Sequence, residues 1–127
     1  MATPTDRLYT KEHEWVKIDG QTATAGITDY AQSSLGDIVY VEMPKPGAAI
    51  ERGKPIGVVE SVKAVSDIYA PISGTVTEVN ASIEEDQTKV NSDPYGEGWL
   101  VKVSLSADTD KADLMDAATY DELVKSL

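Results

Sequence analysis

The chain has 127 residues and contains no cysteine and a single histidine, His13. Without cysteine, disulfide bonds and cysteine-based metal sites are excluded. A zinc site needs three or four nitrogen, sulfur or oxygen ligands, and one histidine among scattered carboxylates is poor material for it. We therefore predict that the protein holds no metal.

Positive charge is also scarce, because 11 lysine and arginine residues face 22 aspartate and glutamate residues, for a net charge of −11. Nucleic-acid binding needs a basic surface that neutralises phosphates, and anionic membranes attract basic segments. The charge balance therefore argues against both partners. Two interpretations stay open: a solvated surface that serves solubility, and electrostatic steering toward basic partner proteins.

Long apolar runs are missing as well, since no stretch approaches the roughly 18 residues that a membrane-spanning helix needs. The polar start, 1–7, has neither the apolar core of a secretory signal nor the arginine and serine content of a transit peptide. We expect one domain over residues 1–127 with a loose N-terminal segment at 1–8. The expected location is a bacterial cytoplasm, with the mitochondrial matrix as the alternative if a transit peptide has been removed.

Motifs of catalysis are absent too. The sequence has no G-x-x-x-x-G-K-[ST] or G-x-G-x-x-G loop for phosphates, and no serine stands in a nucleophile elbow. A nucleophile held against an oriented base would have to be built on the one histidine. We predict that the chain is not an enzyme by itself.

What the sequence does contain is a succession of short strand patterns. Residues 14–18 alternate in polarity, Asp19-Gly20 is a hairpin turn signal, and residues 22–27 resume an extended run. Thr28-Asp29 offers a helix N-cap and Gly36 a stop, which predicts one short helix. Further strands are expected at 38–41, 55–60, 65–69, 75–79 and 99–103, with a turn at 93–96.

An internal repeat organises these strands. Residues 36–41 resemble residues 74–79, and 58–59 resemble 100–101. Ile50 corresponds loosely to Ile83. Two similar sets of short strands predict a mainly β fold, a quasi-two-fold β-sandwich or flattened barrel with added short helices.

The C-terminal segment, 110–127, is predicted to be helical. Asp110 is a candidate cap for a short turn through Leu114, and Thr119 with Glu122 forms a capping box. One apolar helix face follows at i, i+3, i+4 and i+7, made by Tyr120, Leu123, Val124 and Leu127. We interpret that face as core packing against the sheet.

Lys63 lies in a short link between two β-branched strands, so the sequence predicts that it projects from a hairpin tip with its amine in water. A deprotonated lysine amine is a nucleophile, and a modifying enzyme can acylate it. On spacing alone, the favoured interpretation is an ordinary solvated turn lysine.

The order of motifs along the chain resembles the glycine cleavage H-protein family of lipoyl carriers, from about Tyr9 to Leu127. Val62 and Ala64 flank the lysine where biotin carriers have methionines, and no aspartate precedes it as in most lipoyl domains of dehydrogenases. At 87–90 the chain departs from the proline and leucine usual in the family, and we expect a surface loop there. The segments that carry the resemblance are His13-Glu14-Trp15, Gly26-Ile27-Thr28, Tyr30-Ala31-Gln32, Leu35 to Val39, Glu60 to Ala64, Pro71 to Gly74, Glu78-Val79-Asn80, Asn91, Asp93 to Gly96, Gly98-Trp99-Leu100 and Tyr120.

The resemblance implies a lipoyl-domain-like β-sandwich with lipoate attached to Lys63 through an amide. It further implies a recognition hairpin made by Glu60, Ser61, Val62 and Ala64. A cleft for the aminomethyl-loaded arm would include Glu14 and Asp67, with His13 packing or capping near it.

The implied function is a monomeric carrier that shuttles the aminomethyl group of glycine from the decarboxylase to the aminomethyltransferase. Its implied partners are glycine decarboxylase, the aminomethyltransferase, dihydrolipoyl dehydrogenase and lipoate-attaching enzymes. Two alternatives stay open at this point: a relay protein that donates lipoate to other complexes, and a binding module without lipoate.

Overall fold

The computed structural model describes residues 2–105, 111 and 114–127, which form two β-sheets with short helices around them. The six-stranded sheet has the order β1-β2-β3-β9-β8-β5 and the three-stranded sheet the order β4-β6-β7. The strands are β1 Leu8–Tyr9, β2 Glu14–Asp19, β3 Thr22–Ile27, β4 Ile38–Glu42, β5 Ala49–Ile50, β6 Pro55–Ser61, β7 Val65–Tyr69, β8 Gly74–Val79 and β9 Val101–Ser104. The helices are α1 Asp29–Leu35, α2 Ala81–Glu85, α3 Thr88–Ser92 and α4 Ala117–Lys125.

The first hairpin confirms the predicted strands and moves the turn by one residue. Asp19 pairs with Thr22 across β2 and β3, so the two loop residues are Gly20 and Gln21. Gly20 has a φ of 63°, a left-handed conformation that glycine adopts without steric cost. Asp19, the residue before Gly20, therefore ends the strand and does not enter the turn.

Helix α1 is confirmed with the caps that the sequence predicts. The Thr28 hydroxyl accepts a hydrogen bond from the Ala31 amide at 3.2 Å. Gly36 ends the helix with a φ of 82°, and its amide donates to Gln32 O. A serine or threonine cap at one end and a left-handed glycine at the other fix the length of a short helix.

The predicted repeat is present in the strand pairing. Val41 pairs with Val59 in one sheet, and Val79 pairs with Val101 in the other. Each pairing is interrupted at the same place, between Ile38 and Tyr40 in β4 and between Val76 and Glu78 in β8. The loose correspondence of Ile50 with Ile83 is wrong, because Ile50 lies in a strand and Ile83 in helix α2.

Among the described residues, the buried apolar side chains form three clusters: one packs helix α4 against Tyr9 and Trp15, and the other two meet between the sheets. Of these two, one is built on the six-stranded sheet around Val16, Val76 and Val103. The other joins the inner face of the three-stranded sheet to helices α2 and α3. Met43 and Ile56 pack against both clusters, so the two sheets share one continuous core.

The C-terminal helix packs as predicted but begins earlier. Its buried residue Tyr120 stacks on Tyr9, with ring centroids 4.8 Å apart. The predicted capping box is wrong, because the carboxylate of Asp116 accepts a hydrogen bond from the Thr119 amide and caps the helix one turn before. Leu127 lies beyond the helix and is exposed. The turn expected from Asp110 to Leu114 lies largely outside the described residues.

The N-terminal segment, expected to be loose over 1–8, makes specific contacts in the structure. The Thr3 hydroxyl donates to the Asp121 carboxylate of α4. The guanidinium of Arg7 lies 4.6 Å from the Trp15 ring centroid and donates to the Tyr95 carbonyl at 2.8 Å. Leu8 is already a strand residue. An arginine between two aromatic rings is a stabilising contact that the sequence pattern could not show.

The stretch 87–90 is not the surface loop that the sequence predicts. Residues 88–92 form helix α3, and Val90 is fully buried in the second cluster beside Ile38 and Val59.

Among the described residues, no helix is both long and apolar enough to cross a bilayer.

Truncating the buried side chain of α3 is expected to destabilise the protein. Val90→Ala removes apolar contacts from a site with no exposure and should lower the free energy of unfolding by about 2 kcal/mol. Urea denaturation measures it. Ser92→Ala, at an exposed position of the same helix, should change stability by less than about 0.5 kcal/mol. Equal effects of the two variants would contradict the burial of Val90 and favour a surface loop at 87–90.

Candidate functional site

Lys63 occupies the tip of the hairpin between β6 and β7, and it is exposed. The turn is closed by a hydrogen bond from the Ser61 amide to the Ala64 carbonyl at 2.8 Å. The Ser61 hydroxyl also accepts bonds from the amides of Lys63 and Ala64, at 3.3 and 3.1 Å. A serine that bonds to the backbone of its own turn holds a tight connection in one shape.

The hairpin tip rests on the segment that follows helix α1. The Val62 amide donates to the Asp37 carbonyl at 3.0 Å, and Ser61 pairs with Ile38. The stem of Lys63 runs beside Gly36, since a Cβ added to Gly36 would lie 3.5 Å from Lys63 Cε. The apolar stem of Lys63 therefore lies against the backbone at Gly36, and its amine points toward solvent.

The surface around the lysine is apolar and acidic. Tyr40, Glu60 and Val65 are aligned across the three strands, so their side chains share one face of the sheet. Val62 and Val65 are 69% and 66% exposed. Exposed valines beside an acidic residue form a surface that a partner protein can contact.

Glu14 is a buried carboxylic acid with a relative exposure of 3%. One carboxylate oxygen accepts a hydrogen bond from the Thr10 hydroxyl at 3.0 Å, and the other accepts from the Tyr69 amide at 2.9 Å. Strand β7 thereby has an edge amide covered by a side chain from β2. Glu14 therefore joins the two sheets at the open end of the β6–β7 hairpin, opposite the tip that carries Lys63.

The environment of Glu14 favours its neutral form. Burial raises the pKa of the carboxyl to about 7, although the bonds from Tyr69 and Thr10 act in the opposite direction. Removing a carboxylate from water without a cation beside it is costly, so the proton is retained to higher pH. A group of this kind can exchange a proton near neutrality.

Asp67 lies on the same strand as Tyr69, two residues earlier, and is exposed. Because Glu14 bonds to the backbone amide of Tyr69, the two predicted acids meet the same strand at positions two residues apart. A cavity of about 500 Å³ opens beside Thr10 and includes Lys11, Glu12, Arg52 and Pro71. The cavity is lined by side chains of both charges and by Thr10, which bonds to Glu14, so it suits a polar ligand.

The imidazole of His13 turns toward the C-terminal helix. Its Nδ1 lies 2.8 Å from the Tyr120 hydroxyl, which in turn lies 2.7 Å from the Thr28 hydroxyl. The ring also packs on Tyr30, with centroids 4.5 Å apart. Burial lowers the pKa of the imidazole. His13, with a φ of 69°, thus belongs to a polar network that ties α1 to α4, while Glu14 faces β7.

The sequence pattern assigns no role to three residues that support the site. Thr10 and Tyr69 hold the Glu14 carboxylate, and Asn91 bonds to the segment under the lysine. Tyr69 and Asn91 act across 55 residues, a separation that leaves no local pattern, whereas Thr10 lies only four residues before Glu14. Within the described ranges, no group of three histidine, cysteine, aspartate or glutamate residues could hold a metal ion.

Two packed sheets with a lysine held out on a tight hairpin define a lipoyl-domain-like protein. The family model for the glycine cleavage H-protein matches residues 7–127, and the chain belongs to that family.

Individual relatives agree with this assignment. The glycine cleavage system H protein of Rubrobacter xylanophilus is 59% identical over 107 residues, which cover 84% of this chain and 85% of that protein. The H protein of Acidobacterium capsulatum is 55% identical, covering 98% and 96%. A crystal structure of the H protein from Mycobacterium marinum matches with a TM-score of 0.88 at 39% identity, covering 98% of this chain and 99% of that chain.

Proposed function

We propose that the chain carries lipoate on Lys63 and shuttles the aminomethyl group of glycine from the decarboxylase to the aminomethyltransferase. The observation that carries the proposal is the exposed lysine at the tip of a closed hairpin, in a member of the H-protein family. The chain is a carrier component and leaves bond chemistry to its partner enzymes.

The residues at the hairpin fit a lipoyl group. The Lys63 stem already lies along Gly36, where a glycine leaves room beside it. The exposed position of Lys63 gives an attaching enzyme access to the amine. Acylation removes the positive charge of the amine, which is on the surface and not in a buried ion pair. When bound, lipoate supplies a disulfide that can be reduced and reoxidised and that can hold a group on sulfur.

The chain's own residues orient the arm and receive its cargo. Glu60 and the valines around the lysine form the surface that attaching enzymes recognise. Glu14 and Asp67 provide two carboxyl groups along β7 for a charged amino group, one buried and one exposed. Thr10 and Tyr69 fix the orientation of the Glu14 carboxyl. His13, the residue before Glu14, supports the cleft indirectly, because it packs on Tyr30 and bonds to Tyr120 on the side away from β7.

The partners are proteins with basic surfaces. The net charge of −11 favours encounter with positively charged enzymes and disfavours nucleic acid. Glycine decarboxylase, the aminomethyltransferase, dihydrolipoyl dehydrogenase and lipoate-attaching enzymes are the partners that the family assignment supports. We propose a monomer in the bacterial cytoplasm, since the relatives described above come from bacteria.

Intact mass and peptide mapping of the protein isolated from its own cells test the proposal. We expect one lipoyl adduct, located on the peptide that contains Lys63. Material that is unmodified in cells with active glycine cleavage would contradict the proposal, and so would an adduct on another lysine.

A further inference from the structure

The lysine hairpin is supported by three consecutive residues. The Asp37 carbonyl accepts the Val62 amide at 3.0 Å, Ile38 pairs with Ser61, and Gly36 lies against the Lys63 stem. The position of the hairpin tip therefore depends on where residues 36–38 are held.

The side chain of Asn91 holds both ends of that segment. Its Nδ2 donates to the Gly36 carbonyl at 2.9 Å, and its Oδ1 accepts from the Ile38 amide at 2.9 Å. Nδ2 also donates to Gln32 Oε1 of helix α1 at 2.9 Å. Both amide protons and the amide oxygen are used, so the side chain has one orientation.

Asn91 is itself firmly placed. The preceding residue, Val90, is fully buried in the cluster that contains Ile38 and Val59. Helix α3 is thus anchored in the same core as the strands β4 and β6. The asparagine transmits that position to the backbone on which the hairpin lies.

We propose that Asn91 is a positioning residue for the lipoylation hairpin, acting through residues 36–38; this rests on the proposed attachment at Lys63. With the Asn91 hydrogen bonds to Gly36 and Ile38 in place, the hairpin tip presents Lys63 to the attaching enzyme in one arrangement. Without them, residues 36–38 move and the Val62 bond opens, so only a fraction of molecules presents the tip correctly. A partner that binds the competent fraction then shows a weaker apparent affinity.

The test compares Asn91→Ala with Asn80→Ala. Asn80 is a matched control because its side chain also makes three hydrogen bonds, in its case all with backbone groups: it donates to the Glu97 and Trp99 carbonyls and accepts from the Ser82 amide. These bonds lie away from the hairpin. Both variants lose stability, so a global effect on unfolding appears in both.

Hydrogen–deuterium exchange at the Val62 amide is the first measurement. We expect exchange roughly tenfold faster in Asn91→Ala than in the wild type, relative to the core amide of Val103, and no such change in Asn80→Ala. The second measurement is the steady-state rate of lipoylation by a lipoate-attaching enzyme. We expect the KM for the carrier to rise roughly three- to tenfold in Asn91→Ala, with kcat nearly unchanged.

Unaltered Val62 exchange in Asn91→Ala, or equal changes in the two variants, would overturn the proposal. If Asn91→Ala does not fold, Asn91→Asp keeps the acceptor for Ile38 but loses the donor to Gly36, and the same results are expected. A wild-type chain that accepts no lipoyl group refutes the proposed function, whereas the exchange measurement still decides the role of Asn91.

Discussion

A Lys63→Arg variant should acquire no lipoyl group under conditions in which we expect a lipoate-attaching enzyme to modify the wild type to completion. The guanidinium stays protonated at neutral pH and cannot serve as the amine nucleophile. Intact mass after reaction with the enzyme, lipoate and ATP measures the loss, and glycine cleavage with the partner enzymes should fall to background.

The loss should be chemical and not structural. Lys63 is exposed at a turn whose bonds are made by Ser61 and the backbone, so the substitution should change the free energy of unfolding by less than about 0.5 kcal/mol. Lys54→Arg is the control, because Lys54 is an exposed lysine just before the other end of β6. A Lys63→Arg protein that still supports glycine cleavage would refute the assignment of the attachment site.

Glu14→Gln is expected to remove a pH dependence of stability. The Glu14 carboxyl has a pKa of about 7 in the folded protein, against an ordinary value of 4.5. Between these values the folded state holds the proton and the unfolded state releases it, so rising pH favours unfolding. The stabilisation is fully present below about pH 4.5 and is lost as the pH rises through 7.

Relative to Glu14→Gln, the wild type should therefore lose roughly 2 to 3 kcal/mol between pH 5 and pH 8. Urea denaturation at both pH values gives the difference. His13 has a lowered pKa and contributes with the opposite sign, but it is present in both proteins and cancels. Glu12→Gln removes an exposed acid whose charge is the smallest of the causes acting on the Glu14 pKa, so it should retain most of the wild-type pH dependence. If Glu14→Gln retains it too, the carboxyl is ionised throughout.

The strands and the first helix could be predicted because their signals are local. Period-two polarity, a threonine cap and left-handed glycines such as Gly20 and Gly36 act within a few residues of themselves. The repeat was also visible, since similar strands need similar residues. The exposed hairpin lysine followed from two β-branched runs separated by a short link.

Helices α2 and α3 could not be predicted in the same way. Each has five residues, and helices that short are marginal without tertiary packing. What stabilises α3 is the burial of Val90 among strands distant in sequence. The two competing caps of α4 show a different limit, since Asp116 and Thr119 are both good cap residues and the structure uses the first.

The candidate site was predictable in its centre and not in its support. The alternating pattern of β2 does not reveal that Glu14 is buried, because its partner Tyr69 lies 55 residues away. Asn91 likewise bonds to Gly36 across 55 residues. Long-range polar contacts of this kind depend on the finished fold.

The matching interruptions in β4 and β8 bear on the ancestry of the chain. Lys63 corresponds by register to Leu105, which is buried. A bulge inserts one extra residue and is costly to acquire twice at equivalent places. This is the trace expected from duplication of one ancestral strand pair, after which the position after the second strand stayed in solvent in one copy, at Lys63, and became buried in the other, at Leu105.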